Sequence, residues 1–377
     1  MSMNLESVED IVAAAIKDGS FPGACFAVHH RGRVERRYFG KQTYCPESPD
    51  IDEHTLWDLA SLTKVVATTS VAMHLHDRGA LDIDQPVASV IPEFRRDGKD
   101  KVLMRNLLLH DAGLIPDLLH IESYFERQAI LDAAYAEPLQ YPVGTKMVYS
   151  DLSMILLAEA MQRISGQSLD AYATKHVFEP SKMHDTRFSA AALERSTGLT
   201  RPEICDRCAP TEVLDPWRIK LRARRFTSPE QERLFGKSPA YIQAEVHDPT
   251  AAVLEGVAGH AGLFSTLNDL VRFVDALNGR KFAHKDTVAE WTRCQSDRSS
   301  RGLGWDTKSV PSSAGERFGN RSFGHTGYTG TSIWCDPDQE LYAILLTNRV
   351  HPTSENNKIR MVRPAFHDAV FSAVVGS

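Results

Sequence analysis

Apolar and polar positions repeat with two different periods along this chain, and the changes of period mark out its elements. Residues 8–17 place apolar side chains at helical spacing behind acidic residues, which predicts a short amphipathic helix. Two β-prone runs, 24–29 and 34–39, flank Arg31-Gly32 and end at Gly40, so 22–40 reads as a hairpin. From Ser61 the period becomes helical. Val65, Val66, Thr69, Ala72 and Met73 share a stripe, and Gly79 suits the residue after a helix ending near Arg78.

Further helices are expected over 103–109, 121–136 and 152–164, the last stopped by Gly166. Pro202, Pro210, Pro216, Pro229, Pro239 and Pro249 predict irregular chain over 195–250. Thr266-x-x-Asp269 reads as a capping box for a helix running to Asn278, with Gly279 ending it. Strand patterns then return over 301–308, 328–335 and 341–348, with a tight turn at Asp336-Pro-Asp-Gln339, and a helix closes the chain over 358–374. The pattern implies an α/β (α+β) fold: an antiparallel sheet flanked by helices and built from both termini, beside a mainly helical lobe. The expected division is a discontinuous sheet lobe, 1–57 with 257–377, and a helical lobe, 58–256.

Composition narrows the classes. With 377 residues the chain can bury a large core, and a net charge of −6 argues against a nucleic-acid binder. The exception is Arg218-Ile-Lys220-Leu-Arg222-Ala-Arg224-Arg225, read as the start of a solvated basic loop over 218–243. No charged-then-apolar leader opens the sequence and no apolar run nears the ~20 residues that span a bilayer. Six scattered cysteines suit a reducing compartment, so the expectation is a cytoplasmic protein without membrane or nucleic-acid partners. Cys205-Asp-Arg-Cys208 lacks the second Cys/His pair of a zinc site and is read as free thiols in a loop.

The chemistry begins at Ser61-Leu-Thr-Lys64. Residues three apart share a helix face, so the Lys64 amine can reach the Ser61 hydroxyl, and a serine needs such help to become a nucleophile. About one S-x-x-K is expected by chance in a chain of this composition, so its company decides. Tyr149-Ser150-Asp151 stands at a helix N-terminus, where the dipole lowers a nearby phenol's pKa. His325-Thr326-Gly327-Tyr328 opens a predicted strand, where a glycine admits a ligand to the backbone and an N–H can face an oxyanion.

Taken in order, Ser61/Lys64, Tyr149/Asp151 and His325-Thr326-Gly327 resemble the S-x-x-K, Y-x-N and [KH]-T-G motifs of the serine β-lactamase and penicillin-binding protein superfamily. The closer resemblance is to its class C β-lactamase, DD-peptidase and esterase branch. Leu107-Leu-Leu-His-Asp-Ala-Gly113-Leu114 and Gly259-His-Ala-Gly262-Leu-Phe-Ser265-Thr266 are similar to the family's flanking stretches. The resemblance runs from about Pro22 to the last helix. It implies the β-lactamase/transpeptidase-like fold, Ser61 as the acylated nucleophile, and Lys64 and Tyr149 sharing the proton work, with the base between them left open. It also implies the Ser61 and Tyr328 N–H groups as the oxyanion hole, and Asp151, His325, Thr326 and Gly327 as substrate-binding.

Two departures qualify this. Asp151 stands where the family has Asn, and a carboxylate accepts without donating; it should pair with Lys64, hold its pKa up, and lose an amide-orienting contact. His325 in place of Lys weakens fixed positive charge at neutral pH. Both favour an esterase or D-amino-acid-type peptidase over an efficient β-lactamase. The alternatives are a class C-like β-lactamase or DD-carboxypeptidase, or a catalytically silent binding module of the same fold. Simpler roles compete: Ser61 or Asp151 could only cap a helix, and His110, His247 and His260 read as loop-fixing hydrogen-bonders, unlike a zinc ligand set. There is no G-x-S-x-G elbow and no H-E-x-x-H. Phe235-Gly-Lys-Ser238 lacks the first glycine of a P-loop. The expected partner is a small ester, amide or peptide, with no metal or organic cofactor and no oligomeric state implied.

Overall fold

The computed structural model describes residues 3–235, 240–296 and 298–376. Gly236-Lys-Ser238, weighed above as a P-loop, and Pro239 lie outside the described residues. A six-stranded antiparallel sheet in the order β2-β1-β8-β7-β6-β5 organises the chain. Its strands are β1 (Gly23–His30), β2 (Arg33–Gly40), β5 (Asp306–Thr307), β6 (Phe323–Thr326), β7 (Ser332–Asp336) and β8 (Leu341–Thr347). A two-stranded ribbon joins β3 (Trp57–Asp58) to β4 (Phe264–Ser265). The hairpin forms in the expected register, Gly23 opposite Gly40, because Arg31 and Gly32 both take the left-handed conformation that matches strand twist.

The central strands read as unbroken apolar runs because both sheet faces are covered. Cys25 and Ala27 of β1, with Ile344 and Leu346 of β8, face the large core that the helices between residues 62 and 292 complete. Ala24, Phe26 and Val28, with Ala343 and Leu345, face the N-terminal helix Glu6–Lys17 and the C-terminal helix Ile359–Val374. Among the described residues no helix is long and apolar enough to cross a membrane.

Four readings are corrected. The expected helix over 121–136 is a 3₁₀ turn, Ile121–Ser123, followed by a helix from Arg127 to Ala136. The strand read over 328–335 starts only at Ser332, because Gly330 takes φ +115° and a Cβ there would lie 2.0 Å from Thr347 Oγ1. The strand read over 301–308 shrinks to Asp306–Thr307, and His325, expected to open the strand that follows, lies instead near the end of a separate one, β6. The described residues of 195–250 are more helical than irregular. Pro202, Pro216, Pro229 and Pro249 fall in the first turns of helices Arg201–Arg207, Pro216–Arg225, Ser228–Phe235 and Pro249–Val253, where a missing N–H costs nothing.

The basic stretch is also not a solvated loop. Arg218 and Arg222 are buried on helix Pro216–Arg225 and converge on Glu245 (3.3 and 2.5 Å). Arg218 also donates to the carbonyls of Val246 and His247, and Arg225 to those of Ala252 and Val253. The charges therefore fasten the segment 245–253, which leads to the candidate site. Cys205 lies in helix Arg201–Arg207 and Cys208 is buried just after it, with its thiol pKa pushed up to about 12 by burial, so neither sits in an open loop.

Candidate active site

Ser61 follows a strained approach. Ala60 takes φ +44° although it is not glycine, and its N–H is held by Asp58 Oδ1 at 2.8 Å. After Ser61 the chain turns at once into helix, whose Lys64–Thr69 turn is π-wound before Ser70–Asp77 continues as α. The winding puts Lys64 beneath Ser61. Lys64 Nζ donates to Ser61 Oγ (2.8 Å) and to the His260 carbonyl (3.0 Å), and ion-pairs with Asp151 Oδ1 (2.6 Å).

Lys64 is fully buried. Burial disfavours its charge, but the Asp151 carboxylate and then the Tyr149 phenol outweigh that, so its pKa is raised. Tyr149 behaves oppositely to the helix-dipole expectation. Burial raises its pKa, although the Lys64 ammonium pulls it down. At rest Lys64 is thus an ammonium and Tyr149 a neutral phenol. Asp151 is the first residue of helix Asp151–Ser165, but its cap is Ser150, whose Oγ accepts from Ser153 N–H.

Tyr149 is wedged between rings and a cation. His110 and His325 have ring centroids 4.7 and 5.9 Å from its own, and the Arg301 guanidinium lies 5.2 Å over it. His110 Nδ1 accepts from Ser150 N–H at 3.1 Å, which ties the Leu107–Leu114 stretch to the Tyr149 segment. His325 is 3% exposed, and its Nδ1–H donates to the Thr326 carbonyl (2.8 Å), leaving Nε2 a buried lone pair without a partner among the described residues. Burial, then Arg301 and Lys64, push its pKa well down, so His325 supplies no positive charge. Arg301 is a second cation of this region beside Lys64: its Nε and Nη1 make no hydrogen bond among the described residues, and Asp306 Oδ1 lies 4.0 Å from Nε.

Gly327 packs where no side chain fits: a Cβ would lie 2.4 Å from the Leu59 carbonyl. Thr329 and Thr331 hydroxyls donate to the carbonyls of Asp58 (2.7 Å) and Leu59 (3.1 Å), stitching the Tyr328 segment to the approach to Ser61. Neither the Ser61 N–H nor the Tyr328 N–H donates to a protein acceptor among the described residues. The Tyr328 ring is exposed, stacked on His247 (5.7 Å).

Sequence reasoning missed a second tier of charges. Asp151 N–H donates to the Pro116 carbonyl, which brings Asp117 alongside. Burial, with the Asp151 carboxylate beside it, raises the Asp117 pKa to about 7. Asp248 pairs with His260 at 2.8 Å; burial opposes the imidazolium, but that carboxylate outweighs it and raises the His260 pKa. Asp151, Asp248 and His260 offer ligand atoms within 4.8 Å of one another, yet Lys64 already neutralises Asp151 and His260 neutralises Asp248. The two carboxylates and their two cationic partners sum to no net charge, which leaves no uncompensated negative charge to draw a metal ion. Asp117 and Arg301 stand in irregular stretches with no motif around them, so the sequence carried no signal for either.

The Beta-lactamase family model matches residues 8–365. The N-acetylmuramyl-L-alanine amidase of Bacillus subtilis is 28% identical, over 92% of this chain and 81% of that protein. A Salmonella agona protein with the provisional name D-alanyl-D-alanine carboxypeptidase is 29% identical, over 81% of this chain and 72% of its own length. Among solved structures, EstCE1, a hydrolase with promiscuous acyltransferase activity, shares the fold with TM-score 0.74 and 18% identity, covering 97% of this chain and 98% of that one. A match from residue 8 to residue 365 leaves out only the ends, and the protein is therefore an enzyme of the Beta-lactamase family of serine hydrolases.

Proposed function

We propose that the enzyme cleaves esters or amides through an acyl-enzyme on Ser61, as an esterase or D-amino-acid-type peptidase rather than an efficient β-lactamase. The observation that carries this is the 2.8 Å contact between Ser61 Oγ and a lysine that Asp151 keeps charged. A charged Lys64 cannot take the Ser61 proton. Tyr149 first gives up its own proton to solvent, the adjacent Lys64 ammonium stabilising the phenolate, and that phenolate takes the Ser61 proton as Oγ attacks the carbonyl, becoming the neutral phenol again. Tyr149 then returns the proton to the leaving oxygen or nitrogen, and water reverses the sequence to release the acid. The free Ser61 and Tyr328 N–H groups receive the oxyanion. Arg301, rather than the neutral His325, faces an anionic end of the substrate, with Thr326 beside it.

The amidase and carboxypeptidase names of the relatives support an amide or peptide substrate, and the EstCE1 likeness is compatible with an ester. Intact-mass analysis after incubation with a fluorophosphonate or a penicillin tests the nucleophile. A stoichiometric adduct absent from Ser61→Ala is expected, and folded protein that forms none with either probe would sink the proposal. Turnover of short-chain p-nitrophenyl esters, D-Ala-D-Ala peptides and a chromogenic cephalosporin then ranks the substrates. Dominant cephalosporin turnover would reverse the reading of Asp151.

A further inference from the structure

Two arginines close on the loop after His325-Thr326-Gly327. Arg363, on the C-terminal helix, donates from Nη2 to the Gly327 carbonyl (2.5 Å) and the Thr331 carbonyl (2.9 Å). Arg349, just after β8, donates from Nε to the Tyr328 carbonyl (2.7 Å) and from Nη1 to the carbonyls of Ser354 and Asn356 (both 2.9 Å). Among the described residues neither makes an ion pair. Burial and then the neighbouring Arg349 push the Arg363 pKa down to about 9, which still leaves it charged at neutral pH. A half-buried cation spent wholly on backbone carbonyls is an expensive way to hold a loop together.

The placement of the Arg363 bond explains the expense. The Gly327 carbonyl and the Tyr328 N–H belong to the same planar peptide unit. A charge-assisted hydrogen bond on the oxygen fixes that plane and draws electron density away from the nitrogen, which makes its N–H a stronger donor. Among the described residues that N–H has no acceptor. Arg349 grips the carbonyl of the next peptide unit, so it lacks this through-bond connection.

Building on the reading of Ser61 and Tyr328 above, we propose that Arg363 is a positioning residue for acyl transfer: it holds and polarises the Gly327–Tyr328 peptide, so that the Tyr328 N–H is aimed at and strengthened toward the oxyanion. Its effect falls on the step in which negative charge grows on the substrate oxygen, and little on substrate binding.

The test pairs the acylation burst with p-nitrophenyl acetate and the infrared carbonyl stretch of the isotope-edited acyl-enzyme, in wild type, Arg363→Gln, Arg363→Lys and Arg349→Gln. Arg363→Gln is expected to slow acylation about tenfold, less than the loss of a whole oxyanion donor, while the substrate concentration for half-saturation of the burst stays near wild type. Its acyl carbonyl stretch should move to higher frequency, with Arg363→Lys between it and wild type. The Arg349→Gln stretch should match wild type. A folded Arg363→Gln with wild-type rate and frequency overturns the proposal, as does an equal frequency shift in Arg349→Gln, which would mean general loosening of the loop. If Arg363→Gln does not fold, Arg363→Lys decides by the same two readouts. A wild-type protein that forms no adduct fails the Ser61 reading itself, a result distinct from an adduct with unchanged frequency.

Discussion

Replacing Asp151 by Asn would remove one charge and leave the shape almost intact. At 2.6 Å from a fully buried ammonium, that charge contributes an attraction of about 6 kcal/mol at an effective dielectric near 20. Without it, burial becomes the dominant influence on Lys64 and drives its titration down from the alkaline region toward neutrality. The amine escapes part of the cost by losing its proton, so the stability loss should be nearer 3 kcal/mol, or about 4 °C in Tm for a chain of this length.

The sign of the pH dependence follows from the direction of the shift. A lysine whose folded-state pKa lies below its unfolded one binds fewer protons when folded, so stability rises with pH between the two values. The penalty of Asp151→Asn should therefore be largest in acid and shrink toward pH 10. Acylation by p-nitrophenyl acetate should gain an alkaline limb, as neutral Lys64 becomes a base for Ser61, and penicillin acylation should rise about tenfold because the amide can donate to the substrate carbonyl. Differential scanning fluorimetry from pH 5 to 9 and stopped-flow burst rates over the same range measure both effects. A pH-independent stability penalty together with an unmoved acylation profile would refute the claim that Asp151 sets the charge of Lys64.

Other expectations follow from the same geometry. Asp117→Asn removes a carboxyl whose folded pKa, about 7, exceeds its unfolded value; such a group destabilises the fold as pH rises from 4 to 7, so the variant should gain on wild type over that window in pH-dependent Tm. Equal Tm curves would dismiss the Asp117–Asp151 contact. Gly327→Ala should lower the burst rate by about 10²-fold or more, because its Cβ must displace the Leu59 carbonyl or the Thr331 hydroxyl; near-wild-type acylation would show that the loop yields freely. Arg301→Gln should raise KM for substrates with a free carboxylate while sparing neutral esters, measured with a matched peptide acid and amide, and an equal effect on both would remove Arg301 from anion recognition.

What the sequence made legible was local. Ser61 and Lys64 lie within one helical turn, the hairpin turn declares itself through Arg31-Gly32, and alternation or runs of apolar residues mark strands whichever partner they find. The second tier of charge was not legible, because Asp117 meets Asp151 through the Pro116 carbonyl and Asp248 meets His260 across a loop. The arginines of 218–225 were misread for a related reason. Composition reports charge, whereas Glu245 and a row of carbonyls decide whether charge is buried. Prolines misled over 195–250 because the same residue that breaks a helix interior starts a helix well.

The β1–β8 ladder has a consequence for how the protein is made. Ala24 pairs with Thr347, more than 300 residues later, so on a ribosome adding 5–20 residues per second the bare edge of β1 waits roughly 15–60 s for its neighbour. During that interval an apolar strand is open to pairing with another nascent chain. A stop or frameshift before residue 341 would leave that edge uncovered for good, and such products should be found in inclusion bodies or as protease fragments. Expression yield should depend more on the pace of translation and on chaperone supply than on the stability of the finished enzyme.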